Sequence, residues 1–156
     1  MADAELTFEP FDAAALATWL VELRSSYVEE RVLGGDSQPE AEVNADESLA
    51  RLLPAGVPSP GQLIGRVLSD GEPIGYLWIG PYGDDPQRWW VWDVAVDQGQ
   101  RGRGYGRRAM LLAEKLARQA GAATIGLNVF RSNALAHHLY ASLGYQETSV
   151  QMRKDL

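Results

Sequence analysis

RWWVWDVAVDQGQRGRGYGRR, residues 88–108, holds a strand, a turn and the opening of a helix in one uninterrupted run. Through Val96 it is aromatic and β-branched, the composition of a buried strand. Gly102, Gly104 and Gly106 then lead into an alanine- and leucine-rich segment, so the strand passes through a glycine turn into a helix. Glycines at alternate positions remove every second side chain. Consecutive backbone N–H groups can then approach one ligand, and the helix dipole adds positive potential at the same place. Such a turn is an anion cradle suited to phosphate. Arg101, Arg103, Arg107 and Arg108 crowd it in a chain of formal net charge -7, so the local charge opposes the global one.

Two other phosphate loops fail on spelling. A Walker A loop needs Gly-Lys before Ser or Thr, and this segment has no lysine; a Rossmann fingerprint needs G-x-G-x-x-G, whereas Gly104-Tyr105-Gly106 runs on into Arg107-Arg108-Ala109. Composition narrows the field further. The 156 residues, 46% hydrophobic, fit a single domain over 1–156 with a core that needs no crosslink or metal. The absence of cysteine excludes a disulfide framework, a thiolate zinc site and a cysteine nucleophile, so any thiol in the chemistry comes from a cofactor. The first ten residues, MADAELTFEP, carry acids where a secretory signal carries a basic region, and no apolar run reaches the ~20 residues of a membrane span. A cytoplasmic protein without membrane partners is expected. A sequence pI near 4.8 argues against nucleic-acid binding, which needs a broad basic face.

Outward from the central stretch, periodicity sets the other elements. Residues 5–9 alternate as a short first strand. Asp12 can cap a helix from Ala13 to about Arg31, with Leu16, Trp19, Leu20, Leu23 and Tyr27 on one face and Gly34-Gly35 as its stop. Ser37 and Glu40 spell a capping box for a second helix that ends at Pro54. Between Glu22 and Glu47 lie eight acids against Arg24 and Arg31: a solvated helix surface, or a wall that attracts a cationic amine. Residues 62–68 and 73–79 flank Asp70-Gly71 and predict an antiparallel hairpin, followed by a loop from Gly80 to Gln87. Beyond the glycine turn, Met110, Ala113, Ala117 and Ala120 form a small-residue stripe that can lie close on a sheet, and Gly121 ends that helix. Residues 123–130 then form a strand parallel to the central one in a right-handed β-α-β unit. A ligand is expected outside the carboxyl end of the central strand. Asn133 to Leu143 is a short helix, Gly144 its end, and Tyr145 to Met152 a last strand or hairpin.

Two motifs together carry a family resemblance. Arg101-Gly102-Arg103-Gly104-Tyr105-Gly106 spells R-x-x-G-x-G, and Asn133, Ala136 and Tyr140, followed by Leu143-Gly144-Tyr145, spell N-x-x-A-x-x-x-Y with a trailing L-G-Y. In order and spacing, from about Trp90 to Lys154, the chain resembles the GNAT superfamily of acetyl-CoA-dependent N-acetyltransferases. The resemblance implies an α/β (α+β by some schemes) fold with a mixed central sheet of about six to seven strands flanked by about four helices. It implies acetyl-CoA as cosubstrate, no metal, and direct transfer of the acetyl group to a primary amine of a small molecule or peptide in a ternary complex. Carried onto this sequence, main-chain groups of Val94, Ala95 and Val96 would bond the pantetheine arm. Amides across Arg101, Gly102, Arg103, Gly104, Tyr105, Gly106 and Arg107 would hold the pyrophosphate.

Tyr140 matches the family's general acid for the departing thiolate; by composition alone it would serve equally as a core aromatic. Asn133 is a favoured helix N-cap that could also face the pantetheine. Some members place a glutamate on the strand before the Asn motif, and this chain has Asn128 there. Asp93, an acid inside an apolar strand, is then the best candidate base, with a structural hydrogen-bonding role as its alternative. His137 and His138 are expected to be exposed. Another acyl-CoA transferase, or a noncatalytic CoA-binding sensor, remains open on the same fold, as does the choice between monomer and homodimer.

Overall fold

The computed structural model describes residues 5–156; the first four residues of the acidic N-terminal stretch lie outside it. Strand β1 (Leu6–Pro10) leads into helix α1 (Ala13–Leu33), whose first turn is capped by the Asp12 carboxylate accepting from the Ala15 amide at 2.8 Å. At its far end Gly35 takes φ +110°, and the amides of Gly35 and Asp36 bond back to the carbonyls of Val32 and Arg31, a glycine-dependent Schellman closure. Helix α2 (Gln38–Leu52) begins at the capping box of Ser37 and Glu40. The hairpin of β2 (Leu63–Ser69) and β3 (Glu72–Tyr82) turns at Asp70 and Gly71, both at positive φ as a type I′ turn requires. After β4 (Asp85–Val96) come α3 (Tyr105–Gln119), β5 (Thr124–Leu127) and α4 (Ala134–Ser142).

One sheet in the order β1-β2-β3-β4-β5 joins these strands; it is antiparallel except between β4 and β5, which α3 connects and which run parallel. Alternation along each strand divides the core in two. Leu77, Ile79, Trp89 and Val91 pack with Ala109, Met110, Ala113 and Ala117 of α3, while Trp78 packs on the other face with Trp19 and Leu23 of α1. A β-bulge in β4 interrupts the alternation: Trp78 pairs with Asp93, but the next residue, Ile79, pairs with Val91. The extra residue, Trp92, joins the α1-side cluster, and Val94 instead of Asp93 returns to the α3 side. Without the bulge, strict alternation would drive the Asp93 carboxylate into the apolar core beneath α3.

The architecture differs from the sequence expectation in several places. Five strands form among the described residues, not six to seven, because residues 145–156 join no ladder. That segment leaves Val150 and Met152 largely exposed and is tied by polar contacts, with Arg153 donating to the Gly35 carbonyl at 2.9 Å. The expected loop from Gly80 to Gln87 is mostly strand: β3 and β4 meet in a two-residue turn at Gly83 and Asp84, and Tyr82 stacks on Trp92 across the ladder with centroids 5.6 Å apart. Aromatic pairing outweighs the loop signal of Pro81 and Pro86. β5 stops at Leu127, short of Phe130, and Ala120 lies exposed beyond the end of α3.

Candidate active site

The termination of β5 creates the site. β4 pairs with β5 only from Arg88 to Val91, and then continues to Val96 paired with β3 alone, so the two parallel strands part as a fork. The Asp97 amide bonds to the Ile74 carbonyl on β3, and a side chain at Gly75 would collide with the Ala95 carbonyl oxygen. Residues 95 and 97 therefore turn their main chain toward β3, and by alternation Val94 and Val96 turn theirs toward the opening. Of the three expected main-chain partners, Val94 and Val96 thus turn away from β3 and Ala95 toward it, and the Val94 amide also bonds the Asp93 carboxylate.

At the mouth of the fork, Gly102 and Gly104 have φ of +76° and +77°, a conformation that admits glycine without strain, and a Cβ on either would meet nothing within 4 Å. Gly104 is the N-cap of α3 and offers no side-chain acceptor, so the amides of the first helical turn are left for an external anion. Gly106 differs: it lies in the first turn of α3, and a Cβ there would make ordinary contact with Leu139 of α4 at 3.5 Å. The arginines divide similarly. Arg101 bonds the Val96 carbonyl at 3.2 Å, Arg103 bonds Gln100 at 2.7 Å, and Arg107 reaches Ser142 at the end of α4 at 2.9 Å. The Arg108 guanidinium lies over the Tyr105 ring, and its buried Nη2 has no partner. Open glycines, uncapped amides and an orphaned guanidinium nitrogen together fit a polyphosphate.

Across the fork stands Tyr140. The Leu143-Gly144-Tyr145 run positions it, because Gly144 at φ +92° closes α4 with a Schellman motif in which the Tyr145 amide bonds the Tyr140 carbonyl at 3.0 Å. That motif brings the residue after the glycine onto the residue being capped, and the two tyrosine rings pack with centroids 5.9 Å apart. Burial, and then the facing carboxylates of Asp93 and Glu30, push the Tyr140 phenol above the usual tyrosine range, so it keeps its proton. Asn133 acts as a cap, its side-chain oxygen accepting from the Ala136 amide at 3.1 Å. His138 is exposed, whereas His137 is only partly so and contacts Glu147 at 2.7 Å.

Asp93 faces the same opening from β4. Burial raises its carboxyl above the ordinary carboxylate range, against the opposing effects of a hydrogen bond from the Tyr76 hydroxyl to Oδ2 at 3.0 Å and, after it, one from the Val94 main-chain amide. Glu30, on α1, is exposed but near enough to Asp93 to feel its charge, and its own carboxyl is raised by partial burial and then by Asp93.

A family model described as the acetyltransferase (GNAT) family matches residues 20–145. The chain belongs to the GNAT acetyltransferase family. It is 31% identical over 150 residues to the uncharacterized N-acetyltransferase YycN of Bacillus subtilis, covering 94% of this chain and 96% of that protein. The crystal structure of YycN superposes with a TM-score of 0.88 at 30% identity, over 97% of this chain and 98% of that one. A streptothricin acetyltransferase of Streptomyces lavendulae is 31% identical over 147 residues, 87% of this chain and 77% of that protein. An aminoglycoside N-acetyltransferase solved with CoA shares the fold at a TM-score of 0.58 and 13% identity, covering 98% of this chain and 95% of that one.

In this GNAT chain the residues that sequence reasoning missed all lie on the α1 side: Tyr76, Trp19 and Glu30. Their signal was weak, since Tyr76 and Trp19 suit a core equally well and Glu30 is one of eight acids. The structure also separates those acids. Asp46 forms a two-point pair with Arg24 at 2.6 and 2.9 Å, Asp36 pairs with Arg31 at 2.7 Å, Glu40 caps α2, and Glu42 accepts from Gln38. Glu30 is the acid of this run that couples to Asp93.

Proposed function

We propose that this GNAT protein transfers an acetyl group from acetyl-CoA to a primary amine of a cationic small molecule or peptide, within a ternary complex. The observation that carries this reading is the fork itself, with an anion cradle at its mouth and Asp93 and Tyr140 facing each other across it. The amides of Gly102, Gly104, Tyr105 and the first turn of α3, with Arg101, Arg103, Arg107 and Arg108 around them, would hold the pyrophosphate. Val94 and Val96 would line the pantetheine arm. Asn133 stands at the head of α4 on the same side. The bound cosubstrate supplies the activated thioester.

The remaining chemistry is assigned to side chains and amides of the chain. An amine nitrogen forms its bond to the acetyl carbonyl while the carbon–sulfur bond breaks. A main-chain N–H along Val94 to Val96 stabilises the oxyanion, the Tyr140 phenol protonates the leaving thiolate, and the Asp93 carboxylate takes the proton from the ammonium. Burial suits both acids and bases here, keeping Tyr140 protonated and raising Asp93 toward neutral pH. A cationic acceptor is supported by the Asp93 and Glu30 carboxylates on the α1 side, and by the similarity to a streptothricin acetyltransferase.

A screen for CoA release with acetyl-CoA as donor, across aminoglycosides, polyamines, amino acids and ribosomal peptides, tests the reading. With the acceptor it returns, Tyr140→Phe is expected to lower kcat by roughly 10- to 10³-fold while acetyl-CoA affinity stays constant. Equal turnover in the two proteins, with chemistry rate-limiting, would remove Tyr140 from the mechanism.

A further inference from the structure

Tyr76 holds a place that its apolar neighbours do not require. Its ring is clamped by Trp19, itself 5% exposed, in an edge-on contact with centroids 5.3 Å apart, and Trp19 comes from α1 while Tyr76 comes from β3. The hydroxyl at the end of that clamped ring donates to Asp93 Oδ2 on the neighbouring strand. The contact exists because of the bulge at Trp92, which turns Asp93 out of the α3-side core and onto the face that carries Tyr76. The Tyr76 phenol is held far above the ordinary tyrosine range by burial, then by the Asp93 charge and hydrogen bond, then by Glu30 and Glu22. It therefore remains a donor at every working pH. The groups that face this pair are Glu30 and Glu22 from α1 and Tyr140 from α4; none is a cation.

We propose that Tyr76 is the positioning residue of Asp93: it commits Oδ2 to a clamped phenol and thereby aims Oδ1 at the fork, where the incoming ammonium presents its proton. The proposal rests on the reading of Asp93 as the base. It extends the reacting constellation to a strand and a helix that contribute no group to the chemistry, along the path Trp19 to Tyr76 to Asp93. Among the described residues no cation acts on the carboxylate, so the phenol is the side-chain donor that favours its ionised form, and the acceptor's own ammonium would supply the counter-charge.

Removing the hydroxyl alone isolates this role, because Tyr76→Phe keeps the ring against Trp19. The measurement is a pH titration of the ligand-free protein carrying ¹³Cγ-labelled aspartate, with the Asp93 resonance identified by its loss in Asp93→Asn. The Asp93 midpoint in Tyr76→Phe is expected to move up by about one pH unit, the size of one hydrogen bond to a charged group. In the CoA-release assay, kcat/KM should drop about 10-fold on the acidic limb as its midpoint moves up with that of Asp93, and the plateau should fall as well because Oδ1 is no longer aimed; a merely structural role would lower the plateau and leave the limb in place. Should Tyr76→Phe not fold, wild-type protein grown with 3-fluorotyrosine offers a more acidic donor in unchanged packing, and the midpoint is expected to move down. An unmoved Asp93 midpoint in the folded variant overturns the proposal while leaving Asp93 as base. Full turnover by Asp93→Asn overturns the base assignment, and with it the catalytic meaning of Tyr76.

Discussion

On the side of the fork where α3 begins, the groups that face the opening are main-chain amides, exposed by Gly102 and Gly104 and left free by an uncapped helix. On the side beneath α1 they are side chains, Asp93, Tyr76 and Glu30, drawn from three elements, with Tyr140 of α4 standing across the fork. The first arrangement depends on backbone shape, and shape is fixed by a few consecutive residues. The second depends on register, a bulge and a helix packing across the sheet. The two halves should therefore fail differently: the cradle through loss of space and sign, the α1 side through graded shifts in proton affinity.

The largest effect is expected in the cradle. Gly104→Asp puts a carboxylate where the pyrophosphate would lie, in space that holds nothing within 4 Å, at a left-handed position that aspartate tolerates better than most residues. The fold should survive, with acetyl-CoA affinity by calorimetry weakened by roughly 100-fold or more. Unchanged affinity in a folded variant would mean that the cradle belongs to some other function, and the comparison between the two sides would lose its first term.

This division also explains what the sequence made legible. The R-x-x-G-x-G run and the Asn133 to Tyr145 run are local spellings, and each local rule came out in the chain: Gly104 at the head of α3, Asn133 as a cap, Gly144 closing α4 behind Tyr140. Asp93 could be noticed, because an acid inside an apolar strand is conspicuous. Its partner could not. Tyr76 lies seventeen positions away, and only the bulge brings the two to one face; strict alternation places Asp93 on the opposite side. The strand count was overestimated for a related reason, since no local spelling decides whether residues 145–152 come to lie along the open edge of β5, and they do not. The acidic run is uniform in sequence: several of its members are capped or paired, and Glu30 is distinguished only by where α1 comes to lie.

A second, smaller effect separates the sides by stability. Because burial raises the Asp93 carboxyl, the folded chain binds a proton that the unfolded chain has already released once pH exceeds the ordinary carboxylate range, and stability falls as pH rises toward the folded value. Above it, the native state carries a buried carboxylate with Tyr76 as its side-chain donor. Asp93→Asn removes that charge and can still accept from Tyr76. Its Tm at pH 7 is expected to exceed wild type by roughly 2–4 °C, with the gap closing as pH falls toward ~4. A gap that persists unchanged at low pH, or a lower Tm at pH 7, would show that Asp93 is a structural hydrogen-bonding residue and not a strained, functional one. No such gain is expected from changes at Gly102 or Gly104 of the cradle, which carry no charge.

The smallest effect concerns Glu30, where the α1 side meets solvent. Exposed ion pairs contribute at most about 1 kcal/mol, so losing this carboxylate cannot cost more than about fivefold in the capture of a cationic amine. Glu30→Gln is accordingly expected to lower kcat/KM for such an acceptor about 2- to 5-fold at low ionic strength, through slower encounter, with acetyl-CoA affinity unaltered. The deficit should vanish near 1 M salt, where the Debye length shrinks to ~3 Å and wild type loses the same attraction. The variant and the salt series thus probe one interaction by two routes, and they must agree. A kcat/KM that ignores salt in wild type, or a Glu30→Gln deficit that survives 1 M salt, would mean that the carboxylate acts by contact or not at all. The acids of α1 and α2 would then be a solvated surface, and acceptor choice would fall to the aromatic and phenolic groups around Asp93.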